Sequence, residues 1–217
     1  MGLFDTILGR TKPVRPNLDA LFALPPAAVT LQITCGLVST GHAGVCFKPP
    51  AGQPFAEMQA ELEQLLATPD DPGAGPAATP PPAVRHVGDR FGYRWILVDA
   101  GATDDLVTRV HMVHSSLQDA GWGTQLLCSV FGFAPAPAGG DDPTPGTPAG
   151  DAPSDPVSRP VFVVYLAKQG TFYPFAPLPG EKRDNELELR LRSIVADDLP
   201  IEGDLSRWFP IWDLPVG

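Results

Sequence analysis

Two histidines on a predicted helix are the first residues in this chain whose types and spacing could support chemistry. His111 and His114 stand at positions i and i+3, so a helix would bring both imidazole rings to one side, where they could share a metal ion. A metal site needs further ligands, and no third ligand lies within reach in the sequence. We therefore expect no metal and no other cofactor, and a metal-dependent enzyme that uses His111 and His114 is kept as a secondary hypothesis.

Three cysteines provide the other reactive groups, namely Cys35, Cys46 and Cys128. Their number is odd, their spacing matches no disulfide framework, and each lies in an apolar or strand-like segment. This pattern is typical of buried, reduced thiols in a cytosolic protein. We expect Cys35 and Cys46 to face each other across a first hairpin as reduced neighbours, rather than as a disulfide or a zinc pair.

Sequence motifs of several common enzyme classes are missing. The chain contains no phosphate-binding loop, no dinucleotide-binding fingerprint after a strand and no Gly-x-Ser-x-Gly nucleophile elbow. Its formal net charge is −10, which argues against a nucleic-acid partner, because phosphate binding needs clustered Lys and Arg. The absence of catalytic motifs favours a non-enzymatic protein.

The strongest β pattern in the chain is VFVVYL, residues 161–166. Its β-branched and aromatic side chains suit a buried strand. A Gln-Gly dipeptide then predicts a turn, and residues 171–173 return as a second strand, which Pro174 places at the edge of the sheet. Residues 126–133 form the strand that we expect to pair with 161–166.

The other periodic segments predict helices that flank a mostly antiparallel sheet. After Thr103, the residues Leu106, Val110, Val113 and Leu117 recur at helical spacing, which predicts a helix with one buried face. We interpret the chain as a single α+β domain. Its other predicted elements are a short helix from Asn17 to Pro25-Pro26, strands at 29–38 and 45–47 joined by a turn, a helix at 54–68, strands within 84–98, and a helix at 186–198 with Glu186–Arg190 and Glu188–Arg192 ion pairs.

Two tracts rich in proline and glycine interrupt this domain. The chain contains 27 Pro and 22 Gly, and most of the excess lies at 69–83 and 134–159. These tracts have few large apolar side chains, so they cannot form a core. We predict flexible inserts at 69–83 and 134–159 within a domain at 17–217, which residues 1–16 precede as an amphipathic segment.

The amphipathic segment at 1–16 has an apolar face made by Leu3, Phe4, Ile7 and Leu8. One interpretation is a short helix docked on the domain's own core. The other is a weak membrane contact, in which these four side chains enter the lipid boundary and nearby basic residues meet anionic head groups. No long apolar run predicts a membrane span, so we expect a cytoplasmic protein that is at most peripheral to the membrane.

Aromatic residues near the C-terminus are the predicted partner-binding residues. One group follows the strand at 161–166, and another lies in the tail. The tail has two interpretations: it packs across the domain, which we favour because exposed aromatic surface is a liability, or it is a docking peptide. The predicted set, with its polar rim, is Phe172, Tyr173, Phe175, Lys182, Arg183, Trp208, Phe209 and Trp212.

Three groups of segments resemble one protein family. They are MGLFDTILGRTKPV with LDALFALP, then LLCSVFGF with VFVVYLAKQGTFYPFAP and the following EKRD, and finally DLSRWFPIW. Together these segments resemble PspAB, the family of PspA-associated protein B found beside phage-shock protein A. The resemblance implies a small cytosolic accessory protein of the envelope-stress response, with a PspA-like protein or an HtpX-type membrane protease as its partner. It implies no catalytic residues.

The predicted element order is also similar to that of secretion-chaperone-like α+β domains. Those domains bind partner proteins and often form dimers, so a homodimeric chaperone-like binding module is the alternative function. This similarity is one of fold only, and a fold does not determine a function.

Overall fold

The computed structural model of the chain describes residues 17–49, 85–137, 153 and 155–216. The predicted amphipathic segment with Leu3, Phe4, Ile7 and Leu8, the predicted helix at 54–68 and the predicted insert at 69–83 all lie outside the described residues. Within the described ranges, the helices are α1 (Leu24–Cys35), α2 (Thr103–Asp119) and α3 (Asn185–Ile194), and the strands are β1 (Leu37–Phe47), β2 (Arg85–Gly88), β3 (Arg94–Asp99), β4 (Leu126–Pro135), β5 (Val161–Leu166), β6 (Thr171–Phe175), β7 (Pro177–Leu178) and β8 (Lys182–Arg183).

Six of the strands in the described ranges form one sheet in the order β2-β3-β1-β4-β5-β6. Each pair of neighbouring strands in it is antiparallel. The predicted α+β class with a mostly antiparallel sheet and flanking helices is therefore confirmed. The predicted hairpin is confirmed as well, because β5 lies between β4 and β6, while β6 ends the sheet.

The sheet buries both of its faces. Alternate strand residues point to opposite sides, and the side that includes Phe131 and Tyr165 packs against α1, α2 and α3 in the larger core. The opposite side includes Cys46, Val130 and Tyr173, and the C-terminal residues 205–216 cover it. The C-terminal tail therefore covers the second face of the sheet, as the helices cover the first.

Helix α1 contradicts the strand predicted at 29–38. Its first turn contains Pro25 and Pro26, because the first helical positions do not need an N–H donor and proline fits there. Gly36 ends the helix with a left-handed φ of 67° and donates its N–H to the carbonyl oxygen of Gln32. The proline pair, which was predicted to end a helix, therefore begins one.

The predicted first hairpin is also wrong, since β1 continues through the predicted turn at 39–44. Gly41 has φ of 75°, and the register against β4 shifts between Ser39 and Ala43. This irregularity bends the strand without ending it. Cys35 therefore lies on α1, and Cys46 faces Cys128 on β4 rather than Cys35.

Helices α2 and α3 lie where their apolar patterns predicted them. The stripe of Leu106, Val110, Val113 and Leu117 on α2 is buried. The ion pairs predicted along α3 are replaced by contacts with other elements: Arg183 binds Glu188, and Asp155 binds Arg190. Packing places Glu188 in the interior, so its carboxylate pairs with a residue outside the helix.

The tract at 134–159 packs on the domain at its described ends. Strand β4 runs to Pro135, and Val157 is buried in the larger core. The N–H groups of Asp155 and Val157 donate to the carbonyl oxygens of Thr34 (2.8 Å) and Cys35 (2.9 Å). The interpretation that nothing in this tract can pack therefore does not hold for its ends.

One stretch of the described residues, Leu18–Cys35, is long and apolar enough to cross a membrane. The expectation that no apolar run is long enough for a membrane span therefore does not hold for this stretch. Its buried side chains, which include Leu21, Leu24 and Leu31, pack against the sheet and the other helices, an arrangement also typical of a core helix.

Candidate partner-binding groove

The C-terminal tail crosses the second face of the sheet and is held there by tryptophan. The indole of Trp208 stacks on the ring of Tyr173 with centroids 5.7 Å apart. Its Nε1–H donates to the carbonyl oxygen of Glu202 (3.0 Å), and the Tyr173 hydroxyl donates to the carbonyl oxygen of Phe209 (2.7 Å). The pKa of Tyr173 is raised, and burial is the largest cause. The hydroxyl therefore keeps its proton and remains a hydrogen-bond donor.

A buried ion pair fixes the start of the tail. Arg183 donates from Nε to Oε1 of Glu188 (3.0 Å) and from its Nη2 atom to Oε2 (2.8 Å), while its Nη1 atom donates to the carbonyl oxygen of Trp208. Glu188 also accepts the N–H of Ala176 (2.9 Å) and is 2% exposed. The pair thus joins α3, the end of β6 and the tail.

Backbone hydrogen bonds also cover the free edge of β6. The N–H of Phe172 donates to the carbonyl oxygen of Pro200, and the N–H of Glu202 donates to the carbonyl oxygen of Phe172, both at 2.8 Å. The resulting single bridge between Phe172 and Ile201 is parallel. An edge strand covered in this way is protected from pairing with another chain.

Between the tail and the sheet lies a groove of about 540 Å³. Its size falls within the range of pockets that take small molecules or peptide side chains. The floor comes from the second face of the sheet, and the walls come from the β2–β3 turn, the tail and the β5–β6 turn. In that order the lining residues are Cys46, Trp95, Leu127, Cys128, Leu166 and Tyr173; Asp89, Phe91 and Tyr93; Phe209, Pro210, Ile211 and Trp212; and Lys168 and Gln169.

Asp89 holds the turn wall of the groove in place. Its carboxylate accepts the N–H groups of Phe91 and Tyr93 (both 2.9 Å) and the indole N–H of Trp95 (3.1 Å). The next residue, Arg90, binds Asp213 of the tail at 3.0 Å. The two walls are therefore joined to each other beside the groove.

The predicted partner-binding residues are divided between the interior and the surface. Phe172, Tyr173, Phe175 and Trp208 are buried, so they present little surface to a partner. Phe172 belongs to the larger core under the helices, whereas Tyr173, Phe175 and Trp208 belong to the core under the tail. Trp212 packs edge-on against Phe175 with ring centroids 5.5 Å apart, and Arg183 is engaged in the buried ion pair. Lys182 and Phe209 are exposed, and three of the predicted residues line the groove, namely Tyr173, Phe209 and Trp212.

The wall that contains Phe91 was not predicted from the sequence. Phe91 is 56% exposed and Phe209 is 60% exposed, although both are large aromatic residues. The Asp-Arg-Phe-Gly stretch that carries Phe91 is a turn between two strands, where the Arg90 guanidinium lies over the Phe91 ring, 4.8 Å from its centroid. A large aromatic residue beside a glycine within 84–98 was the available signal.

The two histidines do not form a shared site. His111 lies partly exposed beside Phe22, with ring centroids 5.2 Å apart, whereas His114 is fully buried and its Nε2 lies 2.6 Å from Oγ of Ser129. Across residues 17–49, 85–137, 153 and 155–216, no three metal-ligating side chains come together. The His114–Ser129 pair has the spacing of a base and a nucleophile, but both residues are closed off from solvent.

Burial, with a smaller contribution from nearby His111, lowers the pKa of His114 to about 3 from 6.5. The native pKa lies below the unfolded one, so the unfolded chain binds more protons between these values and native stability falls as the pH decreases. Because of this group, we expect the free energy of unfolding to fall by about 2 kcal/mol from pH 8 to pH 5. Urea unfolding of the parent and of His114→Gln at both pH values measures it.

The comparison of these two proteins isolates His114 because carboxylates titrate alike in both. The variant should lose about 2 kcal/mol less than the parent over this pH interval. His111→Gln serves as the matched control on the same helix and should keep most of the parent's pH dependence, because His111 contributes less than burial to the low pKa of His114. Equal pH dependence in the parent and His114→Gln would show that His114 does not act in this way.

A family model described as PspA associated protein B matches residues 1–216. The chain belongs to the PspAB family. The membership inferred from the sequence segments is confirmed, and it agrees with an accessory role beside PspA. Searches among curated proteins and among solved structures find no match to this chain. The predicted likeness to secretion-chaperone-like domains is therefore not confirmed.

Proposed function

We propose that this PspAB-family chain is a non-enzymatic accessory protein of a PspA-type envelope-stress response and binds a protein partner in the groove between the sheet and the tail. The observation that carries the proposal is the pair of exposed phenylalanines, Phe91 and Phe209, which both line a preformed apolar groove. Aromatic anchors around a pocket are the usual centre of a protein interface.

The walls of the groove are rigid enough to serve as a binding surface. Asp89 holds the wall with Phe91, and the carbonyl of Phe209 accepts a hydrogen bond from buried Tyr173. Exposed aromatic side chains on a fixed backbone lose little conformational entropy when a partner arrives. Their exposure therefore fits intermolecular contact better than a contribution to the domain's own core.

The proposed partner is a PspA-like protein, because the family description names this association. An HtpX-type membrane protease is the alternative partner. We place the complex at the cytoplasmic face of the membrane, where Leu3, Phe4, Ile7 and Leu8 would add a weak peripheral contact. A second anchor from the partner would make this contact effective, because linked binding sites reinforce one another.

The proposed function is tested by measuring the affinity of the full chain for the purified PspA-like protein of the same organism. We expect Phe91→Asp combined with Phe209→Asp to weaken binding at least about tenfold, since each substitution places a charge in an apolar interface. The melting temperature should change by only a few degrees, because both side chains are mostly exposed. Unchanged affinity of the folded variant would overturn the groove as the binding site.

Ile33→Asp on α1 is the matched control for this experiment. Ile33 is 69% exposed, and with Phe22 and Val29 it forms an exposed apolar stripe on the opposite side of the sheet from the groove. This stripe supports the second candidate function, a homodimeric chaperone-like module. Retained PspA binding by Ile33→Asp supports the groove, whereas loss of dimers or of PspA binding in this variant alone supports the stripe on α1.

A further inference from the structure

Two cysteines stand side by side in the floor of the groove. Cys46 on β1 and Cys128 on β4 are direct partners in the antiparallel register. Residues paired in this way have Cα atoms about 4.5–5.5 Å apart, and disulfides join Cα atoms about 4.4–6.8 Å apart. Both side chains belong to the core under the tail, so the two thiols lie next to each other on the same face of the sheet.

The pair is also accessible from the groove. Both cysteines line its floor, and Cys128 is 9% exposed against 4% for Cys46. The remaining cysteine, Cys35, lies on α1 at the other face of the sheet and is fully buried. A small reagent that enters the groove therefore meets two of the chain's three thiols and not the third.

We propose that Cys46 and Cys128 form a thiol-modification site, at which a peroxide entering the groove oxidises the pair to an intramolecular disulfide. The backbone register supplies the required Cα separation, and the groove supplies the route for the oxidant. Closing the bond brings together sulfur atoms that are already neighbours, so the strands need little rearrangement. The site is independent of the proposed PspA partner.

The first step takes place at Cys128. Cys128 is the more exposed of the two cysteines, so its sulfur is the one that meets the oxidant first. Deprotonated Cys128 attacks one oxygen of the peroxide, the O–O bond breaks, and a sulfenic acid forms. The departing oxygen takes up the proton that Cys128 released and leaves as water when the oxidant is hydrogen peroxide.

The second step closes the disulfide. The sulfur of Cys46 attacks the sulfur of Cys128, the S–O bond breaks, and the hydroxyl group leaves with the Cys46 proton as a second water. Two thiols thereby lose two electrons and two protons, and one hydrogen peroxide molecule is reduced to two waters. A dithiol reductant reverses the change by thiol–disulfide exchange.

The test uses the reduced full chain treated with hydrogen peroxide, then denatured and labelled with N-ethylmaleimide. The reduced protein should take three labels, one for each free cysteine. The oxidised protein should lose about 2 Da and take a single label on Cys35, and peptide mapping should find Cys46 joined to Cys128. The disulfide should raise the melting temperature by about 5–15 °C, because it constrains the unfolded chain.

Serine variants separate this site from general thiol oxidation. Cys46→Ser and Cys128→Ser should each abolish the disulfide and the rise in melting temperature, while Cys35→Ser, the matched control, should retain both. Peptide mapping of the parent protein decides the question even where a serine variant fails to fold. Three labels after peroxide treatment, a disulfide that contains Cys35, or cross-linked dimers would overturn the proposal.

Discussion

Replacing Trp208 with alanine should lower the free energy of unfolding by about 3–5 kcal/mol, the usual cost of removing a large aromatic side chain from a packed site. Trp208 is buried, stacks on Tyr173 and donates a hydrogen bond to Glu202. The substitution removes the stacking contact and leaves the Glu202 carbonyl without this donor. Urea unfolding followed by circular dichroism measures the loss.

Phe209→Ala is the matched control for Trp208→Ala because it changes the neighbouring aromatic residue. Phe209 is exposed and its side chain faces the groove, so this change should cost less than about 1 kcal/mol. Trp208→Phe should fall between the two, since it keeps an aromatic ring over Tyr173 but loses the indole donor. Equal stability of Trp208→Ala and the parent would show that the tail is a docking peptide.

Replacing Glu188 with alanine should also destabilise the fold by about 3–5 kcal/mol, because it leaves the partly buried Arg183 guanidinium without its carboxylate. The variant also removes the acceptor for the N–H of Ala176. A loss of this size is large compared with the total stability of an ordinary domain. It should appear as a lower urea midpoint with an unchanged slope.

Glu186→Ala is the matched control for Glu188→Ala, because Glu186 is an exposed acidic residue in the first turn of the same helix. It should cost less than about 1 kcal/mol, since exposed charges contribute little to stability. The double variant Arg183→Met with Glu188→Leu should lose less than Glu188→Ala, because no charge is then left unpaired. A loss of stability below about 1 kcal/mol in Glu188→Ala would show that water reaches Arg183 and solvates its unpaired charge.

Local sequence patterns were sufficient to predict β5 and α2, because each pattern matches only one kind of secondary structure. The run at Val161–Leu166 is buried along nearly all of its length, and its β-branched and aromatic residues have one compatible structure. The α2 stripe was equally unambiguous, because Leu106, Val110, Val113 and Leu117 match the helical period alone. Together these segments and the next strands predicted an antiparallel α+β sheet.

Helix α1 shows where such patterns stop being decisive. Val29, Leu31, Ile33 and Cys35 alternate as in a strand, but Leu24, Ala27, Leu31 and Cys35 also follow a helical period, and this second set is buried. Val29 and Ile33 remain exposed. Only the space beneath the helix determines which set is buried, and that space is formed by β1 and α2.

The sequence by itself determined the strands β4, β5 and β6, the family and the apolar character of the tail. The tertiary structure alone decided that Cys46 faces Cys128, that Glu188 binds Arg183, and that Phe91 and Phe209 line the same groove. These contacts join residues on different elements. Their formation depends on strand register and on how the tail crosses the sheet, and neither is encoded in the periodicity of a single segment.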